Sequence, residues 1–344
     1  MFALGLAVVV GFAAMTIDVG LMYEERRGMQ NAADAAALAG VAELPLDPIA
    51  ARKRAEEWAA NNGVPSSEIK TIEVRTTDAL NDTLYVELGT DFGWVFGRVL
   101  GLDSSPLSAS AAAQIQSMVG TSNLMPWAIV MGDSACLNAM DEPIPGEDCS
   151  VKIGASDSVV GWYGALDLDG SGGGSSEYES NVVDGAAETV YCAEGQQEPQ
   201  CQSSVVDALA GNKVGGTGQG IDTRLMTEPT EGCDDNGSGI DDFGEVFVPA
   251  VSGQAQFGVG CPLSPRLIII PIVTLNGLPV QTVTIEGWAL AYLKGYMCVG
   301  VNCPTGSGHW EVQITMVDAI YAQAPGMIGA FNPLSGISVS RLIQ

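Results

Sequence analysis

Oxygen-bearing side chains recur along residues 234–245, "DDNGSGIDDFGE", with the spacing of an EF-hand-type calcium loop. They occupy positions 1, 3, 5, 9 and 12 of that loop, and a glycine stands at position 6, where the loop must turn sharply. The main-chain carbonyl at position 7 completes the set, because the chain coils around the ion. The spacing predicts calcium ligands at Asp234, Asn236, Ser238, Ile240, Asp242 and Glu245.

Two departures favour a different interpretation of this loop. Asp241 stands at position 8, where the motif expects an aliphatic residue, and the flanks lack a helical pattern. The alternative is a solvated acidic turn closed by a disulfide. A second stretch, "DLDGSGGGSSEYE", predicts a weaker site at Asp167, Asp169 and Ser171, since its position 12 is Tyr178. Calcium is the single cofactor that the sequence predicts.

The eight cysteines all lie beyond residue 135, and their number is even. This distribution indicates disulfides formed in an oxidising compartment. A zinc site fits less well, because there is no Cys-x-x-Cys pair and only one histidine, His309. We expect sequence neighbours to pair, although other connectivities stay open: Cys136 with Cys149, Cys192 with Cys201, Cys233 with Cys261, and Cys298 with Cys303.

Charge and catalytic motifs restrict the function further. The net charge is −27, from 41 acidic and 14 basic residues, so phosphate would be repelled. We therefore expect no nucleic-acid partner and no binding of an anionic membrane surface through the folded part. A Ser-His-Asp arrangement would need His309, and Ser134 lacks the Gly-x-Ser-x-Gly frame. We therefore expect a protein that is not an enzyme.

The element that begins the chain is an apolar-to-polar helix over residues 1–44. Residues 1–17 are uncharged, yet they fall short of the roughly 20 needed to span a bilayer, and no basic segment precedes them. We expect either that a leader has been removed or that Met1 is an internal start. Nothing breaks the helix before Pro45, so only its first half can lie in lipid.

Small residues recur along this helix at Gly5, Gly11 and Ala14 and again over residues 32–40. Such residues let neighbouring helices approach closely. The alternative is that the alanines simply favour helix. Packing of many copies side by side would bury the apolar segment without lipid.

Residues 11–44, "GFAAMTIDVGLMYEERRGMQNAADAAALAGVAEL", resemble the N-terminal signature of the TadE/TadG-like group of tight-adherence, Flp-type pilus-assembly proteins. In that group an apolar segment leads into Asp-x-Gly, an aromatic residue, basic residues and Gln-Asn-Ala-Ala-Asp-Ala-Ala-Ala-Leu-Ala. The candidate assembly residues combine the matching positions with the small residues: Gly5, Gly11, Ala14, Asp18, Gly20, Tyr23, Gln30 and Asp34.

The resemblance implies a membrane-inserted, pilin-like or pseudopilin-like component of a surface filament, with its C-terminal bulk outside the cytoplasm. Its implied partners are other copies of itself through the N-terminal helix, the membrane before assembly, and the secretion and pilus machinery. The chain departs from type IV pilins at Gly5, where those proteins usually carry glutamate. We therefore do not expect ordinary leader cleavage at Met1.

Residues 45–119 predict a small α+β module. Asp47, Pro48 and Gly63 mark the N-cap, first residue and stop of a second helix. Strands are expected over residues 69–77, 83–90 and 107–116, with a short helix over 92–100. The apolar residues expected in its core are Ile72, Val74, Leu84, Val86, Trp94 and Val99.

Residues 120–344 predict a disulfide-bonded, β-rich, sandwich-like extracellular domain. Long runs of β-branched and aromatic residues at 266–275, 281–299 and 309–322 read as strands separated by turns. Alternation at Trp288, Leu290 and Tyr292 predicts a strand with one exposed face. The fold class is thus α+β, beginning with a long pilin-like helix.

The sequence therefore favours a structural, pilin-like subunit of a cell-surface filament, with the helix inward and the β domain outward. One alternative is a minor pseudopilin for tad-type pilus assembly. The other is a membrane-anchored surface-binding protein or adhesin, which exposed aromatic residues around Trp162 or Trp310 would favour.

Overall fold

The structure is a computed structural model of the chain. It describes residues 2–132, 134–151, 162–168, 170, 172, 174–186, 191–193, 204–211, 213–249, 257–299, 309–320 and 326–343. The chain forms two compact units, which differ from the predicted division at residues 44 and 119. Unit 1 comprises residues 1–115 and 340–344, and unit 2 comprises residues 116–339. The helix is not separate from the α+β module, because its second half packs into the core of unit 1.

The helices of unit 1 are α1 (Phe2–Val41) and α2 (Pro48–Asn61). Helix α1 has 40 residues and is about 60 Å long at 1.5 Å per residue. Helix α2 begins as predicted: the Asp47 carboxylate accepts hydrogen bonds from the N–H groups of Ile49 (3.0 Å) and Ala50 (2.9 Å). It ends at Gly63, whose φ of +85° suits glycine. Both predicted helices are confirmed.

The strands of unit 1 form an antiparallel meander of β1 (Ile69–Arg75), β2 (Thr83–Gly93) and β3 (Ser104–Thr121), the last of which continues into unit 2. Leu84 and Val86 on β2 are buried as predicted, and Ile72, Val74 and Trp94 are partly buried. The prediction for Val99 was wrong, since its side chain is 88% exposed. The expected short helix is a 3-10 turn, Gly97–Leu100, in the loop between β2 and β3.

Within the residues that the structure describes, unit 2 contains three helices and most of the strands. Its helices are α3 (Ser175–Asp184), α4 (Val214–Leu225) and α5 (Phe243–Val246). Its strands, the last of which ends in unit 1, are β4 (Ile129–Val130), β5 (Asp148–Ser150), β6 (Trp162–Asp167), β7 (Tyr191–Cys192), β8 (Val205–Ala210), β9 (Phe247–Pro249), β10 (Phe257–Val259), β11 (Leu267–Leu275), β12 (Thr282–Val299), β13 (His309–Val317), β14 (Ala319–Ile320), β15 (Met327–Gly329) and β16 (Ile337–Leu342).

Two sheets of unit 2 enclose its first core. One has the order β4-β11-β12-β13-β5, with β8 beside β12 and β6 beside β8. The other contains β16-β14-β10-β9, and the end of β3 pairs with β7 and β15. Buried side chains from both sheets, among them Ile285, Trp288, Phe247 and Ile337, form one cluster. This β-rich, disulfide-bonded arrangement confirms the predicted α+β class.

Helices α3 and α4 pack on the other face of the central strands and create a second core. Ala289, Ala291 and Leu293 of β12 lie in this core with Val182 of α3 and Ile221 of α4. Strand β12 is therefore buried on both faces from residue 288 to 293, and the prediction of one exposed face was wrong. Helix α4 arises from a glycine-rich segment and α3 directly follows one, so both regions resemble loops in the sequence.

Candidate functional site

Asp18, the first acidic residue of the chain, is a buried anchor of helix α1. Its side chain has no exposed area, and its carboxylate accepts hydrogen bonds from the N–H groups of Val95 (3.2 Å), Phe96 (2.9 Å) and Gly97 (2.7 Å). These N–H groups enter the 3-10 turn Gly97–Leu100 and have no partner within it. A buried carboxylate is stable only when such donors satisfy it. Asp18 therefore fixes the loop after β2 to one point on α1.

Gln30 and Asp34 form a second connection between α1 and the sheet of unit 1. The Gln30 amide donates to the Asp34 carboxylate one turn later (2.8 Å) and to the Ser110 carbonyl of β3 (2.9 Å). Because both bonds come from one amide nitrogen, they define which face of the helix meets β3. The two polar signature residues thus act within the chain.

The small residues in the second half of α1 also pack within the chain. Ala33, Ala36 and Ala37 are fully buried in unit 1. A Cβ at Gly40 would stand 2.3 Å from Leu84 Cδ2 and 2.6 Å from the Ala51 carbonyl oxygen, which is too close for any side chain. The close helix approach that these residues permit is therefore an approach to α2 and β2, rather than to other copies.

The first half of α1 has an exposed apolar surface. Val9, Phe12 and Ile17 are 65%, 72% and 51% exposed, and Val19, Leu21 and Tyr23 are exposed as well. A Cβ added at Gly11 or Gly20 would meet nothing within 4 Å, and Ala14 is only partly buried. Gly5 lies in the same helix. In the described part of the chain, no helix contains a stretch that is both long enough and apolar enough to cross a membrane.

Most of the predicted calcium ligands hydrogen-bond within their own loop. The Asn236 amide donates to the Asp242 carboxylate (2.7 Å), and the Asp234 carboxylate accepts from the N–H of Gly239 (3.3 Å). Ser238 Oγ bonds the Ile240 carbonyl oxygen (2.9 Å). Among the described residues there is no group of three or more Asp, Glu, His or Cys side chains arranged to hold a metal ion. Calcium binding stays a prediction.

Glu245 and Asp242 form a capping box at the start of α5. The Glu245 carboxylate accepts from the Asp242 N–H (3.1 Å), while the Asp242 side chain caps the helix in return. The hydrogen bond from Asn236 lowers the pKa of Asp242 below its usual value. This role has a signal in the sequence, since Asp-x-x-Glu at a helix start is typical of a capping box.

Asp241 is buried, unlike most of its loop, and its side chain bonds Thr230, which precedes the loop in sequence. Its carboxylate accepts from the N–H (2.8 Å) and hydroxyl (2.6 Å) of Thr230. Burial raises the pKa of Asp241, but the hydrogen bonds from Thr230 and Ser264 and the charge of Arg266 together outweigh it and lower the pKa overall. This contact explains why position 8 of the predicted loop is acidic rather than aliphatic.

The second acidic stretch, which begins at Asp167, also forms a turn in the residues that the structure describes. The Asp167 carboxylate accepts from the N–H groups of Gly170 (3.1 Å) and Gly172 (2.9 Å). Asp169 and Ser171 lie outside the described residues. Tyr178 is buried and bonds Trp127 Nε1 (2.8 Å), and burial raises its pKa to about 12. Tyr178 therefore supports the α3 packing.

The structure confirms two of the predicted disulfides, Cys136–Cys149 and Cys233–Cys261. The second closes residues 234–245 into a loop, as the acidic-turn interpretation expects. Cys192 is also disulfide-bonded, and its predicted partner Cys201 lies outside the described residues. The predicted pair of Cys298 and Cys303 cannot be described either, because Cys303 and the side chain of Cys298 fall outside them.

A cleft of about 570 Å³ is present in unit 2, lined in part by Ser150, Glu311 and Gln313. Gln313 Nε2 donates to Ser150 Oγ (2.7 Å), and that hydroxyl bonds the Glu311 carboxylate (3.2 Å). Trp162 also lines it but is only 3% exposed, and its indole N–H donates to the Ala165 carbonyl. The lining of the cleft is mixed, with apolar residues such as Ile129, Val130 and Val151 beside these polar ones, and it offers little aromatic surface.

Comparison with known proteins bears on the N-terminal helix alone. No curated protein and no solved structure matches the chain. Residues 1–43 match the protein-family model Tad, described as putative Flp pilus-assembly TadE/G-like. This confirms the resemblance found in the sequence and indicates a role in Flp pilus assembly and an association with the cell surface or membrane. The N-terminal segment of this chain, residues 1–43, thus carries the TadE/G-like signature.

Proposed function

We propose that the protein is a structural, pilin-like subunit of a cell-surface filament, in which the first halves of α1 from many copies pack together. The observation that carries this proposal is the change in burial along α1, which falls between Gly28 and Met29. From Met29 to Val41 the helix is largely buried in unit 1, whereas Phe12, Ile17 and their neighbours are exposed. A helix anchored at one end and uncovered at the other suits assembly with other copies.

The exposed half of α1 supplies enough apolar surface to drive such packing. Full burial of one Val, Leu, Ile or Phe side chain is worth about 1.5–3 kcal/mol. Val9, Phe12, Ile17, Val19 and Leu21 are each at least 41% exposed. Gly11 and Gly20 would let a second helix approach closely, because nothing in the described chain occupies the space beside them.

Before assembly, the N-terminal segment lies in the membrane and meets the pilus machinery there, while unit 2 lies outside the cytoplasm. Disulfides of unit 2 support this placement, because they form in oxidising compartments. The acidic loops and the cleft serve the filament surface rather than catalysis. We propose no enzymatic activity.

Substitution of Gly11 by Asp is the decisive test. A side chain at this exposed position clashes with no other part of the described chain, since no atom beyond the surrounding helix backbone lies within 4 Å of the added Cβ. It would be buried and unpaired in a helix-packed filament, which costs several kcal/mol. We expect electron microscopy of sheared cell material, with mass spectrometry, to find abundant wild-type filaments of this chain and none from Gly11→Asp.

Gly28→Asp is the matched control, because a Cβ there also meets nothing within 4 Å and its neighbour Arg27 is charged and exposed. We expect this variant to assemble, and both variants to keep the disulfides of unit 2. Normal filaments from Gly11→Asp would refute the proposal. A wild-type chain found only in traces beside another major pilin would indicate the minor pseudopilin instead.

A membrane-anchored surface-binding protein is the second candidate, and the cleft beside Ser150 and Glu311 supports it. The exposed aromatic surface that would favour it is not offered by Trp162, and the side chain of Trp310 lies outside the described residues. Retention of the chain in the membrane fraction, with no filaments, would favour this function.

A further inference from the structure

The loop between β2 and β3 exposes a cluster of large apolar side chains. Within this apolar loop, residues 94–102, the exposed members are Val95 (57%), Phe96 (42%), Val99 (88%), Leu100 (69%) and Leu102 (41%). Single exposed apolar residues are ordinary, but a contiguous group marks a surface that something covers. The single charged residue of the loop is Arg98, so the loop itself carries no acidic group that would repel phosphate, in contrast to the chain as a whole with its net charge of −27.

The apolar loop is fixed at one level of helix α1. Its N–H groups at residues 95–97 bind the carboxylate of Asp18, which directly follows the seventeen uncharged residues. The next charges, Glu24 to Arg27, begin about 9 Å farther along at 1.5 Å per residue. The loop therefore lies where the helix changes from uncharged to charged.

We propose that the apolar loop inserts into the headgroup region of the bilayer that holds the start of α1 before assembly, an inference that rests on the membrane stage of the proposed function. Trp94 and Phe96 are the aromatic residues of the loop, and aromatic residues concentrate at membrane interfaces. Trp94 donates its indole N–H to Ser105 Oγ (2.8 Å), so its ring brings no unsatisfied polar group. Arg98 complements the phosphate of the headgroups.

The position of the loop also favours lipid as the occupant. Its anchor on α1, Asp18, is the residue at which the uncharged segment ends and the helix would leave the hydrocarbon core. An apolar loop beside the end of this segment adds apolar contact at the interface and fixes the rotation of α1 about its axis. A second copy of the chain fits less well, because a nine-residue loop is far smaller than the roughly 20–30 residues a side of a stable protein interface.

The test places a fluorescent reporter in the loop of the full chain. Val99→Trp puts an indole at the most exposed position, where it disturbs no packing. Leu80→Trp is the matched control, since Leu80 is 74% exposed in the turn before β2. It lies at the other end of an 11-residue strand, roughly 35 Å away at about 3.3 Å per residue.

Each variant is reconstituted into vesicles of equal parts phosphatidylcholine and phosphatidylglycerol, brominated high on the acyl chain, and its emission is compared with that of the wild type. We expect the emission added by Val99→Trp to be largely quenched and that added by Leu80→Trp to persist. Arg98→Glu in the Val99→Trp background should reduce the quenching in these anionic vesicles and have less effect in phosphatidylcholine alone.

The other outcomes separate this inference from the proposed function. If the chain floats with the vesicles but Val99→Trp is not quenched, the loop does not insert, and the membrane stage stands. A blue shift that grows with protein concentration without quenching would show that a second copy covers the loop, and would overturn the inference. If the chain does not float with vesicles at all, both the membrane stage and the loop inference fail.

Discussion

At the residue scale, Asp18 is expected to hold the apolar loop in place. Replacement by Ala removes the acceptor of three N–H groups, and each buried group left without a partner costs about 1–3 kcal/mol. We predict faster hydrogen exchange at Val95, Phe96 and Gly97 in Asp18→Ala, measured by mass spectrometry. Asp47→Ala, which removes the exposed cap of α2, should leave exchange at these residues unchanged. Equal exchange in both variants would contradict this role.

Asp82 is expected to make the turn between β1 and β2 sensitive to acid. Burial raises its pKa, but hydrogen bonds from the Ala79 N–H, the Gln114 amide and the N–H groups of Asp78 and Thr77 outweigh it and lower the pKa overall. A lowered folded-state pKa means that the carboxylate stabilises the turn above the unfolded value of about 3.9. That stabilisation is lost as the pH falls through the folded-state pKa.

We therefore predict that hydrogen exchange of residues 76–83, corrected for its intrinsic pH dependence, rises in the wild type as the pH falls below about 4. The Asp82→Asn variant should exchange faster at neutral pH and lack the additional rise. The same rise in both proteins would show that another group controls the turn.

Polar anchors of this kind were only partly visible in the sequence. The resemblance singled out Asp18, Gln30 and Asp34 as assembly residues, whereas in the structure Asp18 bonds the loop after β2, and Gln30 bonds both Asp34 and β3. Gly97, which donates to Asp18, and Ser110, which accepts from Gln30, lie 79 and 80 residues away in the chain, and no local spacing predicts such contacts. Asp47 was predicted correctly because its partners are its own neighbours.

At the element scale, Gly40 is expected to set the distance of α1 from α2 and β2. An added methyl group would overlap Leu84 and the Ala51 carbonyl, and overpacking of this kind typically costs about 1–3 kcal/mol. We predict that Gly40→Ala lowers the thermal unfolding temperature of unit 1, measured by hydrogen exchange of β2 during heating. Gly28→Ala, where the methyl group meets nothing, should raise helix stability by about 0.5–1 kcal/mol. A Gly40→Ala protein as stable as Gly28→Ala would contradict the tight contact.

Helices and strands bounded by clear cap or turn residues were predictable from the sequence, whereas those that depend on close packing between elements were not. Helix α2 and strands β11, β12 and β13 follow from caps and runs of β-branched residues. Helix α4, "VGGTGQGIDTRL", resembles a flexible loop because of its glycines. A Cβ at Gly220 would stand 2.7 Å from Val182, so that glycine permits the approach of α4 to α3. Such a requirement becomes visible only when both helices are in place.

At the scale of the whole molecule, composition and cysteine spacing predicted the main features of unit 2. An even set of late cysteines and long apolar strands implied a disulfide-bonded β domain, and two sheets with a shared core are present. The two-unit division was harder to predict, because residues 340–344 return to unit 1 from the end of the chain. A linear sequence gives no local sign of such a return.

That return makes unit 2 an insertion in the order of the chain. Strand β3 begins in unit 1 and leads into unit 2, and strand β16 leads from unit 2 back into unit 1. Within unit 1, the Ile343 N–H donates to the Ala112 carbonyl oxygen (2.9 Å). A segment whose entry and exit strands run side by side can be replaced by another fold with neighbouring ends. In a filament built as proposed, unit 2 could therefore be replaced by a different domain during evolution. Unit 1, with the helix α1 that packs in the filament, would stay the same.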